Sequence, residues 1–391
     1  MLARAHCTRL SLNRSLSRAL STSASALARS PRPLSPLGPP TSHHTHTHSR
    51  RPFATMPAAD ITKWASKDGQ FRRQASVFRD KIQVGGKFPP EEGRYTLYVS
   101  LACPWAHRTL IVRKLKGLER FIDVVTVHPI MLSQGWSFYP PKRDEDGTIQ
   151  QSQTEAGPDD GIAGVDRDPM YDAHFLRELY FKVDPNYEGR FTVPTLWDKK
   201  TEQIVNNESA EIIRFLNTEF NSLLDDEHAK IDLYPESGRA EIDDQADWVY
   251  NTVNNGVYKC GFATTQEAYE SNMGPLFESL ERLDKLLADR KYVAGTDAIS
   301  EADVRLYTTI VRFDPVYFAH FRTNLGMIRH DFPNLHRWLQ HLYWEHPAAF
   351  KDTTNFEHIK THYTKSHPQL NPNRITPMGP RPDIVPLSSS S

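Results

Sequence analysis

The chain has 391 residues, 38% hydrophobic and 10% aromatic, which supports two or three domains and excludes wholesale disorder. A formal net charge of −1 excludes a general nucleic-acid binder, and no run approaches the ~20 consecutive apolar residues of a membrane-spanning helix. Residues 1–55 carry eight arginines, no lysine and no acid, a local charge of +8, which leaves −9 on residues 56–391.

In that leader Arg4, Arg9, Arg14 and Arg18 recur every four or five residues, with Leu2, Leu10, Leu12, Leu16 and Leu20 between them. This is the composition of a mitochondrial transit peptide, the alternative being a disordered basic tail. The histidine-rich run from His43 to His48 has no partner ligands nearby and reads as a low-complexity spacer, so no metal is expected. Met56 comes directly after and could start a leaderless, cytoplasmic form. Residues 56–93 are polar, with Trp64, Phe71, Phe78 and a Gly85-Gly86 pair, and read as an irregular extension wrapped on the next domain.

Residues 94–101 alternate and are β-rich, which predicts a strand. Pro104 suits a first helical position, and a helix is predicted over 106–116. Residues 121–127 predict a second strand, so strand, helix and strand form a βαβ unit with a parallel pair. Residues 137–170 read as an inserted loop and 172–182 as a helix. Residues 191–197 and 204–205 read as strands about a Lys-Lys turn, and 209–220 as a helix. From Arg239 onward the pattern is helical, with one stripe through Ala246, Val249, Val253 and Val257 and another through Leu276, Phe277, Leu280, Leu283, Leu286 and Leu287. Ser300 and Asp303 have the form of a capping box opening a helix through Val311, and 335–344 predicts one more. The organisation is a leader (1–55), an extension (56–93), a small α/β domain (94–222), an all-α domain (223–367) and a Pro/Ser-rich tail (368–391).

The three cysteines, Cys7, Cys103 and Cys260, are too few for a disulfide framework and fit a reducing compartment. Cys103 lies between a strand end and a helix start, where free backbone N–H groups and the positive end of the helix dipole favour the nucleophilic thiolate. Ala106 stands where a C-x-x-C motif would need its second cysteine, and His107 follows it, so this is a monothiol site. It can form a mixed disulfide that only an external thiol resolves. Pro194 opens a predicted strand and invites a cis bond, which would free neighbouring backbone groups for a peptide ligand; an edge-strand proline is the alternative. Ser209 suits an N-cap. With Glu208 beside it, that helix terminus could hold a zwitterionic amino acid, although an ordinary cap has the same form.

Taken in order, Cys-Pro-Trp-Ala-His-Arg at 103–108, Gly135-Trp136, the stretch 189–198, the stretch from Asn207 through Glu208 and Ser209 to Ile213, the stretch 254–263, Arg312 to Tyr317 and His358 to Tyr363 resemble the glutathionyl-hydroquinone reductases, the xi class of glutathione transferases. The resemblance covers roughly residues 60–380. It implies a thioredoxin-like domain followed by a helical glutathione-transferase domain, with glutathione as co-substrate and a homodimer as the assembly. It implies Cys103 as nucleophile, and Trp136, Arg190, Val193, Glu208 and Ser209 as glutathione-binding positions, with Phe191 and Thr192 in the same stretch. It implies Tyr258 as the residue that exchanges a proton with substrate, and Tyr317 and Tyr363 as stabilisers of the thiolate. Without it, these tyrosines would read as packing aromatics. The expected reaction removes glutathione from glutathionyl-hydroquinones. The competing enzyme reading is an omega-like thiol transferase or dehydroascorbate reductase, which needs no proton delivered to carbon. The reading from another class is a non-catalytic binding protein, which has no use for a thiolate at a helix terminus.

Overall fold

A computed structural model describes residue 66 and residues 68–131, 133–138 and 162–387. The leader, the histidine run and Met56 lie outside the described residues, as does most of the inserted loop read over 137–170.

The first half is built on β1 (Tyr95–Val99), α1 (Pro104–Leu115), β2 (Ile122–Thr126), α2 (Leu176–Val183), β3 (Thr195–Asp198), β4 (Gln203–Asn206) and α3 (Ser209–Thr218). The sheet order is β2-β1-β3-β4; β1 and β2 are parallel, and β3 is antiparallel to both β1 and β4. All five residues of β1 are buried, as befits a central strand covered on both faces. Arg94 closes the edge of this core with paired 2.7 Å hydrogen bonds to the Asp198 carboxylate.

Two predicted boundaries move. The helix predicted from 172 begins at Leu176: Asp172 has φ 50, and the Asp168 carboxylate takes the N–H groups of Tyr171 and Ala173 into a loop. The strand predicted from 191 begins at Thr195. Pro194 has no N–H to give a ladder, and Thr192 instead exchanges hydrogen bonds with the Tyr180 hydroxyl. The Val193-Pro194 peptide is cis, as its sequence context suggested.

The second half is helical: α4 (Asp226–Ala229), α5 (Arg239–Val249), α6 (Gly256–Gly261), α7 (Gln266–Leu286), α8 (Glu301–Arg312), α9 (Phe318–His320), α10 (Ile328–Asp331), α11 (Pro333–Glu345) and α12 (Phe356–Ser366). The capping box at Ser300 is present, and the buried Asp303 carboxylate also accepts from the Val293 N–H and the Trp338 indole. The stripe read as continuous through 257 is broken by a π turn, Tyr250–Asn254, and a second π turn spans Phe313–Tyr317. The first shifts the helical phase just before Tyr258 and the second ends on Tyr317, and functional sites are a common place for such turns. The described part of the tail is held to the helices near residues 382–384: Ile384 is buried, and Arg329 donates to the carbonyls of Pro382 and Asp383.

Candidate active site

Cys103 is the N-cap of α1, with Pro104 in the first turn. Its Sγ donates to the Val193 carbonyl at 3.5 Å, so β3's approach and the start of α1 meet at the sulfur. Cys103 is only 8% exposed. Burial pushes its thiol up, against the Ala106 and Trp105 backbone N–H groups and the charges of Arg312 and Arg73, which pull it down. The expectation of net thiolate stabilisation weighed the helix terminus alone, and desolvation reverses the balance.

A cleft of about 130 Å³ opens over the sulfur. Trp136, Arg190, Phe191, Thr192 and Val193 line it, as expected. Tyr258 and Tyr363 line the other side. The Tyr258 hydroxyl lies 2.5 Å from that of Tyr363, which lies 2.9 Å from that of Tyr317. Tyr317 is fully buried and stands behind Tyr258 and Tyr363, its ring centroid 6.0 Å from that of Tyr258. Burial pushes all three hydroxyls up, and at Tyr258 a negative charge on Cys103 pushes the same way. The three phenols therefore stay protonated at neutral pH, a proton supply beside a sulfur.

Glu208 and Ser209 stand behind the lining. Glu208, not Ser209, is the N-cap of α3, accepting from the Ala210 N–H, and Ser209 is already the first helical residue. The reason is backbone geometry: Glu208 is extended (φ −106, ψ 108), and its N–H is held by Asn206 Oδ1 at 2.6 Å. Glu208 touches the cleft through Ser76, whose hydroxyl donates to it at 3.0 Å.

Sequence reasoning missed three contributors. The extension supplies one wall of the cleft, Phe71 and Arg73 to Ser76; its polar composition carried no signal beyond the isolated aromatics. His362 stacks on Trp136 with centroids 5.0 Å apart, its Nδ1–H donating to the Pro129 carbonyl. Burial lowers its pKa to about 4, so it is a neutral ring at physiological pH.

The third is Arg312, at the end of α8. It is fully buried, and its described partners are carbonyls and one imidazole. Nε donates to Ala102 O at 3.0 Å and Nη2 to Leu101 O at 3.2 Å, clamping the loop that carries Cys103. Nη1 donates to Nδ1 of His107 at 3.0 Å. A guanidinium only donates, so His107 Nδ1 is the acceptor, Nε2 carries the proton, and it goes to Thr353 Oγ1 at 2.9 Å. The motif His107 thus orients a buried cation. Removing that cation disfavours the thiolate, so Arg312→Met is expected to move the midpoint of Cys103 alkylation to higher pH. Arg312→Lys keeps the charge and is expected to restore part of that shift; equal midpoints in all three proteins would refute an electrostatic role.

Among the described residues no group of three His, Cys, Asp or Glu is placed to hold a metal ion.

A thioredoxin-like domain joined to a helical domain, with one cysteine at the α1 N-terminus, defines a cysteine-type glutathione transferase. The family description glutathione S-transferase, N-terminal domain, matches residues 102–219, and glutathione S-transferase, C-terminal domain, matches residues 266–341. The chain is 54% identical to glutathione S-transferase omega-like 2 of Schizosaccharomyces pombe over 333 residues, 84% of this chain and 99% of the relative. It is 46% identical to the glutathionyl-hydroquinone reductase YqjG of Escherichia coli over 328 residues, 82% of this chain and 92% of that one. The crystal structure of the Xi glutathione transferase ECM4 from Saccharomyces cerevisiae, in complex with glutathione, is 43% identical, with a TM-score of 0.74, covering 80% of this chain and all of that chain. The chain belongs to the xi class of glutathione transferases, the glutathionyl-hydroquinone reductase family.

Proposed function

We propose that this protein removes glutathione from glutathionyl-hydroquinones, releasing hydroquinone and glutathione disulfide. The observation that carries the reading is the placement of a nucleophilic sulfur and a chain of protonated phenols on facing walls of one cleft. The Cys103 thiolate attacks the glutathione sulfur; a sulfur–sulfur bond forms and the carbon–sulfur bond to the ring breaks. The ring carbon keeps the bonding pair and takes a proton, which Tyr258 supplies as general acid. A second glutathione, as thiolate, attacks the glutathionyl sulfur of the mixed disulfide, returning the Cys103 thiolate. The proton that the second glutathione gives up in forming its thiolate restores Tyr258; the sulfur of one thiol and that of the thioether end as one disulfide, and the two electrons of the broken carbon–sulfur bond stay on the ring. Arg190, the Val193 backbone and Glu208 behind Ser76 suit the carboxylates, peptide and ammonium of glutathione.

The test is direct: supply a glutathionylated hydroquinone and glutathione to the full chain and measure both products. Stoichiometric hydroquinone and glutathione disulfide are expected. Turnover of small disulfides or dehydroascorbate with no hydroquinone released would favour the omega-like reading.

The arginine-rich, acid-free leader supports a mitochondrial address, with a start at Met56 giving a cytoplasmic form. Residues 1–60 fused to a fluorescent reporter are expected to bring it to mitochondria, and a wholly cytosolic signal refutes the address. A homodimer is the assembly the family suggests, and light scattering of the full chain tests it. Among the described residues no helix is long and apolar enough to cross a membrane.

A further inference from the structure

The described residues lining the cleft include two cations, Arg73 and Arg190, and no carboxylate, in a chain whose residues 56–391 carry −9. The two cations sit on different walls. Arg190 belongs to the stretch that meets Cys103 through Val193, the wall assigned to glutathione. Arg73 belongs to the extension. Its guanidinium carbon lies 4.2 Å above the Trp105 ring, 5.6 Å above Tyr258 and 5.8 Å above Phe71, and its Nε donates to the neutral Asn255 amide at 3.2 Å. It therefore lies, exposed, over the aromatic wall that carries the proton donor. The like charge of Arg73, after burial, depresses Arg190, so the two cations repel, and an anion between them relieves that repulsion. Glutathione brings an ammonium as well as carboxylates, and Glu208, which accepts from Ser76 three residues along the extension from Arg73, is the acid nearest the lining to take it.

We infer that Arg73 recognises a carboxylate on the aromatic ring, so that the substrates favoured by this cleft are glutathionylated hydroquinones bearing an acidic substituent. This rests on the activity proposed above and adds the substrate class. The planar fork of an arginine held over an indole pairs with a carboxylate through two parallel hydrogen bonds. A neutral ring of the same size gains the stacking but not the pairing.

The experiment compares a glutathionylated hydroquinone carrying a ring carboxylate with its methyl ester, in the full-length wild type, Arg73→Gln and Arg73→Lys. Each protein's ratio of kcat/KM for acid over ester is the readout, so intrinsic differences in ring reactivity cancel between proteins. Arg73→Gln is expected to lower that ratio by about ten-fold, the worth of one hydrogen bond to a charged group, and Arg73→Lys by less. Tryptophan fluorescence, with the free carboxylated hydroquinone and its ester as probes, gives the same comparison without turnover. An acid preference in binding that Arg73→Gln removes, without release of hydroquinone by any protein, supports this inference and sinks the proposed activity. Turnover with the same ratio in wild type and Arg73→Gln overturns the inference and leaves the activity standing. A higher KM for glutathione in Arg73→Gln with an unchanged ratio also overturns it, because Arg73 then serves a glutathione carboxylate.

Discussion

Cys103→Ala is expected to abolish hydroquinone release, and Cys260→Ala to keep most of it. Both thiols are buried and reduced, so burial does not distinguish them; what surrounds the sulfur does. Cys103 Sγ has helix N–H groups and two guanidinium charges on the side of the thiolate, and it opens on the cleft. Cys260 lies two residues beyond Tyr258 on α6, which puts it some 200° round the helix and away from the cleft. It is fully buried, and burial pushes its thiol up to about 12, so it stays protonated at neutral pH. Replacing it removes one sulfur from the core, at a cost of about 1 kcal/mol of stability. Cys103→Ser keeps the shape of the nucleophile loop and is expected to be as inactive as Cys103→Ala, which separates lost chemistry from lost packing. Hydroquinone release by either Cys103 variant at a wild-type rate would falsify the assignment.

The part of the site that was legible in the sequence is local. A β-rich run, Cys-Pro and then helical spacing describe a strand end and a helix start within ten residues, and β1, Cys103 and α1 fall there. Ser300 and Asp303 show a cap because both halves of the device lie within one turn. What was not legible depends on distant chain. That Glu208 caps α3 turns on Asn206 holding the Glu208 N–H, whereas residue type alone points to Ser209. Arg312 lies some two hundred residues from the loop it clamps, and in a helix a lone arginine reads as a surface charge until its burial is known. The direction of the Cys103 shift has the same origin. The helix terminus is visible locally, but desolvation comes from walls contributed by the extension and α12. The extension itself, polar and without a period, gave no sign that Phe71 and Arg73 complete the cleft.

Tyr258→Phe is expected to separate two activities that share Cys103. The substitution deletes one hydroxyl and keeps the ring, which packs against Phe71, Phe262 and Phe321 with centroids 5.9, 6.1 and 5.3 Å away, so the wall should hold. Transfer of a thiol to a disulfide needs only the sulfur, because the leaving group is itself a thiolate. Breaking a carbon–sulfur bond needs a proton at carbon, and loss of a positioned general acid typically costs ~10²–10⁴-fold. Hydroquinone release is therefore expected to fall by about that factor, with little change in thiol transfer to a disulfide substrate, measured on one preparation with glutathione saturating. The hydroxyl also sits 2.5 Å from Tyr363, and its removal leaves that buried phenol with Tyr317 as its described partner. Tyr363→Phe supplies the control: it keeps Tyr258 and removes the hydroxyl that bonds to both Tyr258 and Tyr317, so a smaller loss there places the proton on Tyr258, whereas a loss as large as that of Tyr258→Phe makes the phenols one relay. If Tyr258→Phe slows both activities by the same factor, its hydroxyl tunes the Cys103 sulfur and does not protonate the ring.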